Sequence, residues 1–239
     1  MYSETYKIAE HNIRICSLYD EVHTLCKDYH HNGYTDFTVE IKQQDIDFER
    51  RKSFDENIVH RYSDSYLETL AVYRKICEKL IEENIILFHG SAVAVDGTAY
   101  LFTAGSGVGK STHTRLWKEY FGKRAIMVND DKPLLKAGSG SITIFGTPWN
   151  GKHKLGSNIA VPLKSICVIM RSEQNHIEQI TGSHAYTMLL QHAYKPMNMH
   201  KLAKTLDILD MISNNTAVYK LYCNMEVKAA EVAYNAMKG

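Results

Sequence analysis

The chain has 239 residues, of which 44% are hydrophobic and 23% are charged, and its formal net charge is +1. These values are typical of a globular protein of one or two domains, and the small net charge argues against nucleic acid or an anionic membrane as a partner. The five scattered cysteines form no C-x-x-C pair, which argues against a zinc site or a disulfide framework and favours reduced thiols in the cytoplasm. No apolar run is long enough to span a membrane, and the first residues lack the apolar core of a signal peptide.

Residues 1–84 are predicted to form an accessory region that is β-rich at first and ends in a helix. Polar and apolar residues alternate over 12–18 and 37–42, which predicts two strands with a short helix between them at 21–29. Residues 45–64 are polar and are interpreted as a surface connection whose charges face solvent. Apolar residues at helical spacing predict a long helix from Ser65 to Asn84.

Residues 85–239 are predicted to form the second domain. It begins with two apolar runs separated by Asp96-Gly97, a strong hairpin signal. The second run would therefore pair antiparallel with the first, unlike the parallel β-α-β arrangement of common phosphate-loop enzymes. His89 and Gly90 are expected within the first strand, where a histidine alone is more often a core residue than a catalytic one.

A glycine-rich loop follows the second strand and leads into a predicted helix from Ser111 to Phe121. It fits the phosphate-loop pattern, except that Ala104 replaces the leading glycine. The residues predicted to bind nucleotide are Gly105, Ser106, Gly107, Val108, Gly109, Lys110, Ser111 and Thr112. Backbone N–H groups of such a loop surround phosphates, while Lys110 reaches the outer phosphates and the Ser111 hydroxyl reaches Mg²⁺. A chance match of a glycine-rich turn is the alternative, but the strand before and the helix after favour a nucleoside triphosphate site.

Asn129-Asp130-Asp131 follows an apolar strand at 124–128. Carboxylates at the end of such a strand suit the Mg²⁺-holding element of phosphoryl-transfer enzymes, although two adjacent aspartates also occur in plain turns. A later segment, Gly146 to Gly156, contains glycines together with Lys152 and Lys154. It is interpreted as a mobile basic lid over the phosphates, with an ordinary solvated loop as the alternative.

The remaining pattern alternates strands with helices. Strands are predicted at 141–145, 162–170 and 216–223, and helices at 183–194, 199–213 and 226–238. The histidines in this part show no metal-like pairing, and none receives a role.

The order of His89-Gly90, the glycine-rich loop and Asn129-Asp130-Asp131 resembles the C-terminal catalytic domain of bacterial HPr kinase/phosphorylase. It is more distantly similar to ATP-dependent phosphoenolpyruvate carboxykinase. The resemblance covers residues 85–156 well and the rest in outline. It implies an α/β (mixed α+β) fold with a phosphate-loop kinase core and a mixed sheet. It also implies that Asp130 takes the hydroxyl proton, that Asp131 and Ser111 hold Mg²⁺, and that His89 lies beside the transferred group.

Three departures from that family bear on the substrate. Ala104 replaces a glycine, Thr112 stands where HPr kinases commonly carry an acid, and the substrate and oligomer segments are not recognisable after Gly156. The segment from Pro148 to Lys152 looks more like small HPr-kinase-like enzymes, some of which phosphorylate peptides or free amino acids.

The sequence therefore predicts an ATP- and Mg²⁺-dependent kinase that acts on a hydroxyl-bearing acceptor: a serine of a peptide, a protein or a free amino acid. Lys152 or Lys154 would steady the moving phosphoryl group. One alternative is a nucleotide-dependent switch without an acceptor, which the absence of an N-K-x-D segment disfavours. The other is carboxykinase chemistry on a keto acid, for which the chain looks too short. The sequence does not identify the acceptor, and it does not decide whether the reverse phosphorolysis occurs or whether the chain forms a homo-oligomer.

Overall fold

The structure is a computed structural model that describes residues 1–55, 62–151 and 154–239. Its internal contacts divide the chain into two compact units, residues 1–79 and 80–239. No helix in the described ranges is long and apolar enough to cross a membrane.

The first unit contains a small sheet and three helices. Its elements are β1 Tyr2–Ile8, β2 His11–Ser17, α1 Glu21–Cys26, β3 Phe37–Glu40, α2 Gln43–Asp55 and α3 Asp64–Leu80. The sheet has the order β1-β2-β3, with β1 antiparallel and β3 parallel to β2. The fully buried carboxylate of Glu68 on α3 accepts the N–H groups of Leu18 and Tyr19 at 2.6 and 2.9 Å. These bonds connect the long helix to the chain that leaves β2.

Helix α2 corrects the interpretation of residues 45–64 as a surface connection with solvent-facing charges. Asp45 and Glu49 on this helix are only 8% and 6% exposed. They pair with basic residues of α3, at 2.6 Å from Lys75 Nζ to Asp45 and 2.6 Å from Arg74 Nε to Glu49. The charged sequence of α2 was not predicted as a helix, because the basic residues that pair with its acids lie on another helix. Residues 56–61 of the predicted connection lie outside the described residues.

The second unit is a mixed α/β structure built on a nine-stranded sheet. The strands are β4 Ile85–Leu87, β5 Ser91–Val95, β6 Thr98–Thr103, β7 Ala125–Asn129, β8 Leu134–Ala137, β9 Ile142–Phe145, β10 Ala160–Arg171, β11 His176–Ile180 and β12 Ala217–Cys223. The helices are α4 Lys110–Phe121, α5 Gly182–His192, α6 Met199–Asn215 and α7 Lys228–Met237. The main strand order is β4-β8-β9-β10-β6-β5-β7, with β12 also paired to β10 and β11 to β12.

Helices cover both faces of this sheet. Neighbouring residues of β6 show the alternation, since Leu101 packs into one apolar cluster and Phe102 into the other. The Leu101 cluster includes Leu189 of α5 and Ile208 of α6, whereas the Phe102 cluster includes Trp117 of α4 and the small residues of α7. Two apolar cores therefore hold the sheet rigid from opposite sides.

The predicted hairpin at Asp96-Gly97 is confirmed. Asp96 and Gly97 have positive φ values of 51° and 82°, and β5 pairs antiparallel with β6. The expectation of one continuous strand through His89 and Gly90 is wrong, because the chain leaves the sheet between β4 and β5. A Cβ on Gly90 would lie 2.8 Å from Leu101 Cδ1 and 2.9 Å from the Phe102 carbonyl oxygen. Only glycine allows the chain to cross so close to β6 as it moves to a new partner strand.

The directions of the strands decide what meets at the sheet edge. β10 runs parallel to β6 and to β12, while β5 is antiparallel to both β6 and β7. The carboxyl ends of β6, β7, β10 and β12 and the amino end of β5 consequently lie at one edge. The segments that follow or precede those ends are 104–109, 129–131, 171–173, 223–225 and 89–91.

Candidate functional site

The glycine-rich loop lies at this edge, between the end of β6 and the start of α4. Gly107 and Gly109 have φ values of 72° and 129°, which side chains other than hydrogen rarely permit. Lys110 is the first residue of α4, and its Nζ donates to the Ala104 carbonyl at 3.2 Å. Ala104 itself is 2% exposed, and its methyl group belongs to the Trp117 core. The departure from glycine at this position therefore places a small apolar group in a site that accommodates it.

Arg171, at the end of β10, holds the tip of the loop. Its Nε donates to the Val108 carbonyl at 3.2 Å, and a second guanidinium nitrogen donates to the Gly107 carbonyl. Two carbonyl oxygens are thus turned toward Arg171, and the Val108 N–H donates to the Gly105 carbonyl at 3.3 Å, so the tip of the loop is held from both sides. The sequence contains no local signal for this contact, because the partners are 63 and 64 residues apart.

The acid pair lies at the same edge, with its two carboxylates in different surroundings. Asp130 is 5% exposed, and its Oδ1 accepts the Ser91 hydroxyl at 2.7 Å. The Ser91 oxygen also lies 2.8 Å from Thr114 Oγ1 on α4. The Asp131 side chain is 29% exposed, and its Oδ1 lies 3.7 Å from His89 Nδ1. One carboxylate is held in a buried hydrogen-bond network, and the other is partly exposed, with its Oδ2 3.9 Å from Lys132 Nζ.

Asn129, fully buried at the end of β7, fixes the turn that carries the two acids. Its Oδ1 accepts the backbone N–H groups of Asp131 and Lys132 at 2.8 and 2.7 Å. Its Nδ2 donates to Thr147 Oγ1 at 2.9 Å. The segment that begins at Gly146 is therefore connected to the acid pair through one amide.

The electrostatic neighbours of Lys110 and His89 show that the predicted residues converge. Burial lowers the pKa of Lys110, while the charges of Asp131 and Asp130 act in the opposite direction. Burial, together with the charge of Lys110, lowers the pKa of His89 against the effect of Asp131. The loop lysine, both aspartates and His89 thus share one electrostatic environment, in which His89 is neutral at pH 7.

The segment from Gly146 to Gly156 is packed where the structure describes it. A Cβ on Gly146 would lie 1.8 Å from the Ser157 carbonyl oxygen, and one on Gly151 would lie 3.1 Å from Asp130 Oδ2. Trp149 is 5% exposed. These two glycines serve close approach of the backbone to neighbouring atoms, whereas the sequence pattern predicts freedom of movement. Lys154 is exposed, and Lys152 lies outside the described residues.

Two cavities lined by described residues adjoin the loop. The helix-side cavity, of about 630 Å³, is lined by Gly107, Val108, Gly109 and Thr112 and by residues of α4, β10 and the 223–225 segment. The His89 cavity, of about 400 Å³, is lined by Ala104, Gly105 and Ser106 together with His89 and His192. Burial, followed by the charges of His89, Lys110 and Lys195, lowers the pKa of His192 to about 4. His192 received no role from the sequence, since only the fold brings the end of α5 to the loop.

The donors present fit Mg²⁺ bound together with phosphate. The described residues contain no group of three or more His, Cys, Asp and Glu side chains that would hold a metal alone. Mg²⁺ in phosphoryl-transfer sites takes one or two carboxylates and completes its shell with phosphate oxygens and water. The partly exposed carboxylate of Asp131 and the exposed Ser111 hydroxyl at the start of α4 match that requirement.

No protein-family model and no curated protein sequence matches the chain. Among solved structures, the chain is similar to the HPr(Ser) kinase/phosphatase from Coxiella burnetii, with a TM-score of 0.36 and 12% identity. The match covers 64% of this chain and 99% of that chain. The resemblance is distant.

Proposed function

We propose that the chain is an ATP- and Mg²⁺-dependent kinase that transfers the γ-phosphoryl group to an alcohol, specifically a serine hydroxyl of a peptide, a protein or a free amino acid. The observation that carries the proposal is the convergence of Lys110 with Asp130 and Asp131 at the end of the glycine-rich loop. Phosphoryl transfer needs a cation on the outer phosphates and a carboxylate near the attacking hydroxyl.

Each residue has a role in this proposal. The loop N–H groups and Lys110 bind the β- and γ-phosphates, and Asp130 orients the attacking hydroxyl and accepts its proton. Oδ1 of Asp130 accepts the Ser91 hydroxyl, which fixes the orientation of the carboxylate, and Oδ2 lies on the side of Gly151. Ser111 and Asp131 would hold Mg²⁺, which supplies charge neutralisation on the phosphates when bound. His89, neutral and next to Asp131, donates or accepts a hydrogen bond beside the transferred group.

The test is incubation of the protein with Mg-ATP and serine-containing peptides, proteins or free serine, with mass spectrometry of the acceptor and measurement of ADP. The expected result is an acceptor that gains one phosphoryl group. Tight ATP binding with no transfer to any acceptor would instead support a nucleotide-dependent switch. Nucleotide turnover that requires a keto acid would support carboxykinase chemistry.

The lysines of the 146–156 segment give a prediction about the chemical step. A cation that faces the moving phosphoryl group contributes most in the transition state. We therefore expect Lys152→Ala or Lys154→Ala to lower the single-turnover rate about tenfold or more, with ATP affinity nearly unchanged. One of the two substitutions is expected to lower the single-turnover rate more than the other. Full rates in both variants, beside unchanged dissociation constants, would make the segment an ordinary surface loop.

Arg171 gives a prediction about nucleotide affinity. Loss of its two bonds to the loop leaves the carbonyls of Gly107 and Val108 free to turn, so Arg171→Ala should weaken ATP binding about three- to tenfold. The side chain is exposed, and the melting temperature should change little. Isothermal calorimetry measures the affinity, with Arg115→Ala, an exposed arginine on α4, as the control. Equal affinities in both variants would contradict a role for Arg171 in shaping the loop.

A further inference from the structure

The two ends of a bound triphosphate would lie near different cavities. This step rests on the proposed function, which places the transferred phosphoryl group at one end and the nucleoside at the other. The transferred phosphoryl group has to lie beside the acid pair and His89, because those residues serve the acceptor. The nucleoside is attached to the opposite end of the triphosphate. The His89 cavity is lined by His89 itself, whereas neither the acid pair nor His89 lines the helix-side cavity. Of the two cavities lined by described residues, the helix-side cavity is therefore the one on the nucleoside's side of the loop.

The walls of the helix-side cavity match the surface of a purine nucleoside. Leu116 and Ile169 are buried apolar residues, 5% and 3% exposed, and offer flat contact to a ring. Met225, at 79% exposure, is a large apolar side chain left in solvent at the same cavity. Ser172 and Glu173 add polar groups that suit the edge of a base or a ribose. A volume of about 630 Å³ lies within the range of about 300–1,000 Å³ that is usual for small-molecule pockets.

His113 supplies an independent indication that a ligand belongs here. It lies one residue after the glycine-rich loop, lines the cavity and is 2% exposed. Its Nε2 accepts the indole N–H of Trp117 at 3.0 Å, so in the neutral ring the proton is on Nδ1. That Nδ1 has no hydrogen-bond partner in the described part of the chain. Buried polar side-chain atoms are usually paired, so this N–H, on a residue that lines the cavity, is a donor that a bound ligand or an ordered water would satisfy.

We propose that the helix-side cavity binds the nucleoside moiety of the triphosphate, a purine, with Met225 covering the ring and Leu116 and Ile169 beneath it. The phosphate loop then holds the triphosphate between this cavity and the acid pair. The cavity determines which nucleotides bind, while the loop binds any linear triphosphate.

Protection of an introduced thiol tests the proposal. In Met225→Cys, alkylation by iodoacetamide is followed by mass spectrometry of the peptide that carries position 225, and ATP binding to the same variant is measured by calorimetry. Met199→Cys is the matched control, because Met199 is 76% exposed and lies on α6, which packs on the other face of the sheet. The added compounds are Mg-ATP, adenosine and inorganic tripolyphosphate. Reading single peptides separates the introduced thiol from the half-buried Cys16, and fragment ions distinguish it from the buried Cys223, which lies two residues away and lines the same cavity.

The expected result is that ATP at about ten times its Kd slows alkylation at position 225 about tenfold, because only the free fraction reacts. Adenosine should protect at higher concentration, tripolyphosphate should bind without protecting, and the thiol at position 199 should react at the same rate throughout. If ATP binds but leaves the thiol at position 225 reactive, or if tripolyphosphate protects equally well, the nucleoside lies elsewhere and the proposed kinase stands. If neither ATP nor tripolyphosphate binds the unaltered protein, the proposed function fails, and this assignment with it.

Discussion

Lys110→Ala is expected to reduce kcat/KM for phosphoryl transfer by at least about 10²-fold, since a cation on the developing phosphoryl charge is lost from a partly buried site. Among the described residues, Nζ of Lys110 donates to the Ala104 carbonyl, and we expect the variant without this bond to stay folded. The measurement pairs steady-state kinetics with calorimetric ATP titration.

The control for Lys110→Ala is Lys118→Ala, an exposed lysine two turns later on the same helix. Circular dichroism should show both variants folded. Retention of full activity in a folded Lys110→Ala variant would remove the basis for assigning the glycine-rich loop to a nucleotide.

Asp130→Asn is expected to reduce the rate of transfer by about 10²- to 10⁴-fold while Mg-ATP still binds. The amide keeps an oxygen that can accept the Ser91 hydroxyl, so the Ser91–Thr114 network survives, but it cannot take the proton of the attacking hydroxyl. Single-turnover rates and nucleotide affinities, measured on the same preparation, separate the two effects.

Asp131→Asn is the matched variant for this prediction, because it changes the neighbouring, partly exposed carboxylate in the same way. We expect it to weaken the Mg²⁺ dependence of nucleotide binding. The opposite pattern, with transfer lost in Asp131→Asn and kept in Asp130→Asn, would exchange the roles of the two residues.

Local sequence patterns were sufficient to predict those elements whose conformation depends on residues close together in the chain. The Asp96-Gly97 turn, the glycines before α4 and the apolar spacing of α3 each act within a few residues, and those elements form as predicted. Strands β1, β8 and β11 escaped prediction, because pairing with neighbouring strands fixes them more than their own residue pattern does. Helix α2 escaped because ion pairs with α3, distant in sequence, make its charges compatible with burial.

The same distinction applies to the candidate site. Lys110 and the acid pair follow from short motifs, whereas Ser91, Arg171 and His192 reach the site through strand pairing and helix packing that no short motif specifies. Ser91 begins the strand that pairs with both β6 and β7, so its hydroxyl meets Asp130 only after the sheet has formed. The roles of the site residues stay predictions until the variants are measured.

The anchoring of the loop by Arg171 also orders the events of folding. The β5–β6 hairpin needs closure of only a two-residue turn, so it can form early and locally. The loop that follows it becomes fixed only when Arg171 arrives from 63 residues further along, together with the parallel pairing of β10 to β6. Such distant closure is slow compared with hairpin formation. During synthesis, the glycine-rich loop is therefore made well before it can hold its final shape, which it reaches only when the centre of the sheet closes.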